Sequence, residues 1–141
     1  TRSIASAAAL ALMGGTTGRR AAAMGLASVA VTATVVTLFL KPLGGRRRPD
    51  RAVQAVPAAR QVPMPRSSSF PSGHAAAAIA FATGVGHVSP GAAVPLHGLA
   101  ALVGYSRIHT GVHFPGDVIA GALLGRILAE ATVHVVERRL G

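Results

Sequence analysis

The chain of 141 residues has no cysteine and no tryptophan, and its aromatic complement is four phenylalanines and one tyrosine. Without cysteine there is neither a disulfide framework nor a thiolate metal site, and cysteine usage assigns no redox compartment. So few aromatics leave little on which nucleobases could stack, so nucleic acid is not the expected partner despite a formal net charge of +10. Carboxylates are scarce too: Asp50, Asp117, Glu130 and Glu137 are the only four. Lysine is nearly missing, with Lys41 alone against thirteen arginines. Such an arginine excess reflects a GC-rich genome more than chemistry. An initiating methionine is also lacking; the start at Thr1 is expected of a processed end or a piece of a larger protein.

What the chain does have is apolar length. Half of it is hydrophobic, 13% is charged and the mean hydropathy is +0.49. Alanine, glycine and valine supply much of that content, as in membrane helices that approach closely through small residues. Residues 21–40 carry no charge over 20 positions, enough at 1.5 Å per residue for a hydrocarbon core of roughly 30 Å. The expected fold class is all-α, a polytopic transmembrane bundle forming one domain over 1–141. Its helices are read at about 3–17, 19–40, 74–88, 92–106 and 116–137. Between the second and third lies a loop, 41–70, rich in proline, glycine, arginine and serine. Ser89-Pro90-Gly91 is read as a tight turn, and Arg126 with Glu130 as a mutually compensating i,i+4 pair.

Alternating helix direction brings the ends at 40, 74, 106 and 117 to one side of the membrane. Three polar clusters collect there: "KPLGGRRRP" at 41–49, "PSGH" at 71–74 and "SRIHTGVHFPGD" at 106–117. Phosphoryl transfer needs fixed cations and amide donors around the equatorial oxygens, with nucleophile and leaving oxygen in line. Lys41, Arg48 and Arg107 supply the cations. Gly73 opens a helix whose free N–H groups favour an anion, and Ser72 adds a hydroxyl. An aspartate bonded to one imidazole nitrogen fixes the tautomer that frees the other nitrogen's lone pair, which makes His113 the candidate nucleophile and Asp117 its orienter. His74, from another helix, is then the acid that protonates the departing alkoxide and the base that activates water.

Plainer readings compete. His109, His113 and Asp117 are spaced like a metal-binding helix face, but Pro115 would break the helix that this spacing needs. Arg46 and Arg47 fit a juxtamembrane basic patch that attracts anionic lipid or sets topology. His87, His97 and His134 read as interfacial or packing residues, and Tyr105 as an interface anchor.

Jointly the three clusters resemble the signature motifs of the type 2 phosphatidic acid phosphatase (PAP2) superfamily, which also includes bacterial acid phosphatases and vanadium haloperoxidases. Lys41 with Arg48-Pro49, then Pro71-Ser72-Gly73-His74, then Ser106-Arg107 with His113 and Asp117 follow its pattern without a departure. The resemblance implies that Lys41, Arg48, Ser72, Gly73, Ser106 and Arg107 hold the phosphate, that His113 attacks, that Asp117 orients it and that His74 is the acid/base. It also implies independence from metal and cofactor, and six membrane helices, one more than is read here. An upstream segment or a second copy of the chain is expected to complete the bundle.

The expected activity is therefore that of a plasma-membrane lipid phosphatase. Its candidate substrates are phosphatidic acid, phosphatidylglycerol phosphate, a polyprenyl diphosphate or a decaprenylphosphoryl-phosphoribose phosphate. A non-catalytic lipid-phosphate-binding protein is the alternative, and the presence of both histidines and Asp117 speaks against it. A vanadate-dependent peroxidase is disfavoured by the apolar spans. Arg19, Arg20, Arg138 and Arg139 mark one side of the membrane; once the site's own cations are assigned to phosphate, the site falls on the extracytoplasmic face.

Overall fold

The structure, a computed structural model, describes residues 2–141, so Thr1 of the expected domain lies outside the described residues. Five helices account for most of it: α1 (Arg2–Met13), α2 (Gly15–Val35), α3 (Gly73–Val88), α4 (Pro90–His109) and α5 (Pro115–Leu140). Among the described residues there is no strand. The first break falls at Gly14–Gly15, upstream of Arg19-Arg20. Arginine is a good helix former, whereas each glycine lowers helix propensity by about 1 kcal/mol. Pro90 is already the first residue of α4, where its missing N–H leaves no intrahelical bond unmade, so Ser89 alone bridges α3 and α4. Past 106, α4 continues through Ser106 and Arg107 to His109.

α2 does not stop at Val35 but continues as a π-helical turn, Val36–Leu40, and a last α turn, Lys41–Gly44. The Lys41 N–H accordingly bonds to Val36 O, five residues back. Pro42 accounts for the wider turn, because its ring would press on the carbonyl four residues earlier in a regular α-helix. One extra residue in a turn rotates the downstream residues by about 100° about the helix axis, which resets the side from which Lys41 projects.

α3 is the central element, packed against α2, α4 and α5. Its "AAAAIAFATGV" sequence is apolar on every side, as a helix surrounded by others requires, and Ala75, Ala76, Ala80, Phe81, Ala82 and Val85 are buried. Contact with α5 is close enough to involve backbone. A side chain at Gly121 would collide with Ser72 O, and one at Gly125 with Ala76 O. This is a small-xxx-small contact at the end of the bundle where the polar clusters meet.

Two helices, Gly15–Gly44 and Pro115–Leu140, are long and apolar enough to cross a membrane. Large apolar side chains also point outward: Ile119, Leu123 and Ile127 form a stripe along α5 at 61%, 59% and 63% exposure. That pattern suits a hydrocarbon surround better than water.

Candidate active site

Asp117 sits in the first turn of α5 with no exposed surface, and four groups approach its carboxylate. Arg46 Nη1 donates to Oδ1 at 3.2 Å, the Phe114 N–H donates to Oδ2 at 2.8 Å, and the Ser69 hydroxyl donates to the same oxygen through a short bond. The fourth is His113, whose Nδ1 lies 3.7 Å from Oδ2. At that separation the two are not hydrogen-bonded, and His113 Nδ1 is buried without a partner. Arg46 further stacks over the Phe114 ring at 4.4 Å.

His113 is held by a tight turn after α4. Its N–H and that of Val112 both bond to Arg107 O at 3.2 Å, and Gly111 takes φ +69° to make the turn. A side chain there would meet both the unfavourable φ and the Val56 side chain at 2.9 Å. On its far side the imidazole meets Arg48, with Nη1 3.2 Å from Nε2. A guanidinium only donates, so Nε2 is the acceptor and Nδ1 carries the proton facing Asp117. The nitrogen with the lone pair thus faces the cations. Burial, and after it the Arg48 charge, push His113 down to about 4 against the opposing pull of Asp117, so the ring is neutral at physiological pH.

Arg48 is also the clamp of the long loop. It donates to Ser67 O and Val112 O at 2.9 Å each, and to Ser67 Oγ and Ser68 O at 3.3 Å each. Burial and the neighbouring Arg107 lower its pKa from an already high ordinary value, which leaves it charged. Lys41 Nζ, from the end of α2, reaches Ser68 O at 2.9 Å. Two cations from different elements therefore converge on one short segment, 67–68.

α3 begins against this group. The Ser72 N–H bonds to Asp117 O at 2.9 Å, tying the starts of α3 and α5 together, while Ser72 Oγ accepts the Ala75 N–H as an N-cap. That cap uses an oxygen lone pair and leaves the hydroxyl proton uncommitted. Gly73 and His74 line a pocket of about 310 Å³ with Lys41 and Arg48. His74 also borders a second cavity, about 660 Å³, with Ser106 and Arg107. The Ser106 hydroxyl donates to Val103 O in its own helix, and Arg107 Nε is buried without a partner.

All nine residues picked from the sequence therefore lie at one end of the bundle. Lys41, Arg48, Gly73 and His74 share a cavity, His113 and Asp117 stand behind Arg48, and Ser106 with Arg107 lie beyond His74. His109 ends α4, His113 is in a turn and Asp117 is in α5, so the three do not share a helix face. Arg46, read from the sequence as a basic surface patch, is instead the counter-ion of Asp117. Ser69 carried no signal at all: its partner is 48 residues away.

Comparison with known proteins places the chain among relatives. The model of the PAP2 superfamily matches residues 22–140. Decaprenylphosphoryl-5-phosphoribose phosphatase from two strains of Mycobacterium tuberculosis is 36% identical over 112 residues, covering 79% of this chain and 57% of the relative. Undecaprenyl-diphosphatase from Sulfolobus acidocaldarius is 42% identical over 74 residues, covering 52% of this chain and 36% of the relative. The chain thus spans little more than half the length of the mycobacterial relatives it matches. No solved structure gives a significant match.

Proposed function

This chain belongs to the PAP2 superfamily, and from that premise we propose that it is an integral, multi-pass membrane phosphatase. Its substrate is a lipid bearing a phosphate monoester or diphosphate, of the polyprenyl type on which the named relatives act. The observation that carries the reading is the placement of His113 between Asp117 and Arg48. A neutral imidazole whose lone pair is on Nε2 is what attack on a phosphorus requires, once Arg48 turns its N–H from Nε2 to the incoming phosphate oxygens.

In the first step His113 Nε2 forms a bond to phosphorus as the P–O bond to the lipid breaks, and protonated His74 gives its proton to the departing oxygen. In the second, His74 takes a proton from water, the water oxygen bonds to phosphorus and the N–P bond breaks, releasing phosphate. Lys41, Arg48, Arg107, Ser106, the Ser72 hydroxyl and the N–H groups opening α3 hold the phosphate oxygens. Proton and phosphoryl transfers are all assigned to side chains, and chelators should leave turnover unchanged.

The apolar outer stripe of α5 and the two long apolar helices support a membrane setting. Arg19, Arg20, Arg138 and Arg139 are exposed near the start of α2 and the end of α5, opposite the site, which favours an extracytoplasmic site. The reading is tested by phosphate release from a lipid phosphate in detergent, comparing wild type with His113→Ala. The variant should be inactive and should form no alkali-stable, acid-labile phosphoprotein. Normal turnover by it would remove His113 from the mechanism.

A further inference from the structure

Arg126 and Glu130 stand on the outer face of α5, about 14 and 20 Å along the helix from Asp117, near the middle of a bilayer core of roughly 30 Å. Their side chains are 67% and 54% exposed, and Arg126 Nε lies 3.9 Å from Glu130 Oε1, beyond hydrogen-bonding distance. Charges at that depth are stable only against a partner that supplies the opposite charge or hydrogen bonds.

The neighbouring polar groups are already engaged. Arg126 and Glu130 edge a groove of about 220 Å³ bordered by Thr83 and His87 of α3 and His97 of α4. His97 Nδ1 lies 2.8 Å from Ala93 O and so carries the proton, and its Nε2 accepts from the Thr83 hydroxyl at 3.4 Å. His87 Nε2 is 2.7 Å from Glu137 Oε1. Asp117 faces Arg46, and Asp50 accepts the Ala52 N–H in its own turn. Apart from Glu130 itself, no carboxylate of the chain is left for Arg126.

The charged pair interrupts an apolar seam. Ile119, Leu123, Arg126, Ile127 and Glu130, all exposed, follow the i, i+4, i+7, i+8, i+11 spacing of one helix face. A cation and an anion one turn apart on such a face are complementary to themselves. Two copies inserted in the same direction share a two-fold axis along the membrane normal, which sets Arg126 of each against Glu130 of the other across a rise of about 6 Å, within reach of an arginine side chain. Lipid tails supply neither charge, and an unrelated helix would need both in matching order.

We propose that two copies of this chain pair through the outer face of α5, with Arg126 of each copy ion-paired to Glu130 of the other and Ile119, Leu123 and Ile127 packed between them. The pairing uses the membrane setting argued above and does not depend on the phosphatase reading.

The test co-expresses two full chains with different affinity tags, extracts them in dodecyl maltoside and purifies through one tag. Wild type should bring down wild type. Arg126→Glu with itself, or Glu130→Arg with itself, sets like charges together at both contacts, and recovery of the second tag should fall roughly tenfold or more. Arg126→Glu co-expressed with Glu130→Arg restores opposite charges at both contacts and should return to the wild-type level. That rescue cannot arise within one chain, because neither variant chain holds an opposite-charge pair. A chain with both substitutions keeps its internal pair, and should bring down itself but not the wild type. A wild type that does not self-associate, single variants that associate normally, or a mixture without rescue would each overturn the proposal; the last is the result expected if an upstream helix or another protein covers this face. The expected pattern in protein recovered from the soluble fraction would leave the pairing standing and count against the membrane setting. The same pattern in a wild type inert toward every lipid phosphate would count against the phosphatase reading alone.

Discussion

The Arg48 guanidinium stands 3.2 Å from Nε2 of His113, while Asp117 lies nearest the other ring nitrogen, Nδ1. One residue therefore fixes the tautomer, helps keep the ring uncharged and places a cation beside its unprotonated nitrogen.

This contact gives the pH dependence a definite sign. With its pKa pushed down to about 4, folded His113 resists a proton that the unfolded chain accepts from about pH 6.5 downward. The stability due to this neutral burial is complete above pH 6.5 and is lost as pH falls toward 4. On the same grounds the acid limb of kcat/KM that belongs to His113 should lie near 4. In Arg48→Gln, kcat/KM should drop roughly 100-fold or more and that limb should move up, though short of 6.5, because burial is the larger cause. A limb that stays in place in the variant would show that Arg48 does not tune the nucleophile.

Arg46 should behave as a positioning residue. Its removal in Arg46→Gln leaves the buried Asp117 carboxylate without a counter-ion, at a cost of about 1–3 kcal/mol given that Arg46 itself is half exposed. We expect kcat to fall by roughly ten- to a hundredfold with KM little changed, and the melting temperature to drop. Arg46→Lys should recover part of both. An effect confined to KM would place Arg46 on substrate instead of on Asp117.

The helix contact behind the site gives a prediction about packing. Gly125→Val drives a side chain into Ala76 O and should separate α5 from α3, abolishing activity and lowering the melting temperature by several degrees. Gly98→Ala, whose new methyl group meets nothing within 4 Å, should be neutral or slightly stabilising in α4. Equal behaviour of the two variants would mean that the close approach does not matter.

Because the chain has no cysteine, orientation can be read from single introduced thiols. Ala59→Cys, in an exposed turn of the long loop, should react with a membrane-impermeant maleimide added to intact cells. A cysteine replacing Arg139 should react only after the membrane is opened. The reverse pattern would place the site on the cytoplasmic face.

How much of this was readable in advance depends on the range of the interaction. Apolar runs and proline positions carry the helix order, and motif spacing singles out His74, His113 and Asp117, which the structure places at one end of the bundle, because those signals are local. The end of α1 was misplaced, since an Arg-Arg pair marks a charge change but does not interrupt backbone bonding as Gly14–Gly15 does. Arg46 and Ser69 reach Asp117 across 71 and 48 residues, and no local pattern distinguishes them from Arg47 and Ser68 beside them. The π-helical turn before Lys41 arises from Pro42 acting backward on the preceding turn.

The bond from the Ser72 N–H to Asp117 O has a bearing on how this scaffold can diverge. It joins the helix that carries His74 to the helix that carries Asp117 through main chain alone, so most point substitutions leave it intact. Drift on the outer faces and in the 45–70 loop can then proceed while the spacing of His74 and Asp117 is inherited unchanged.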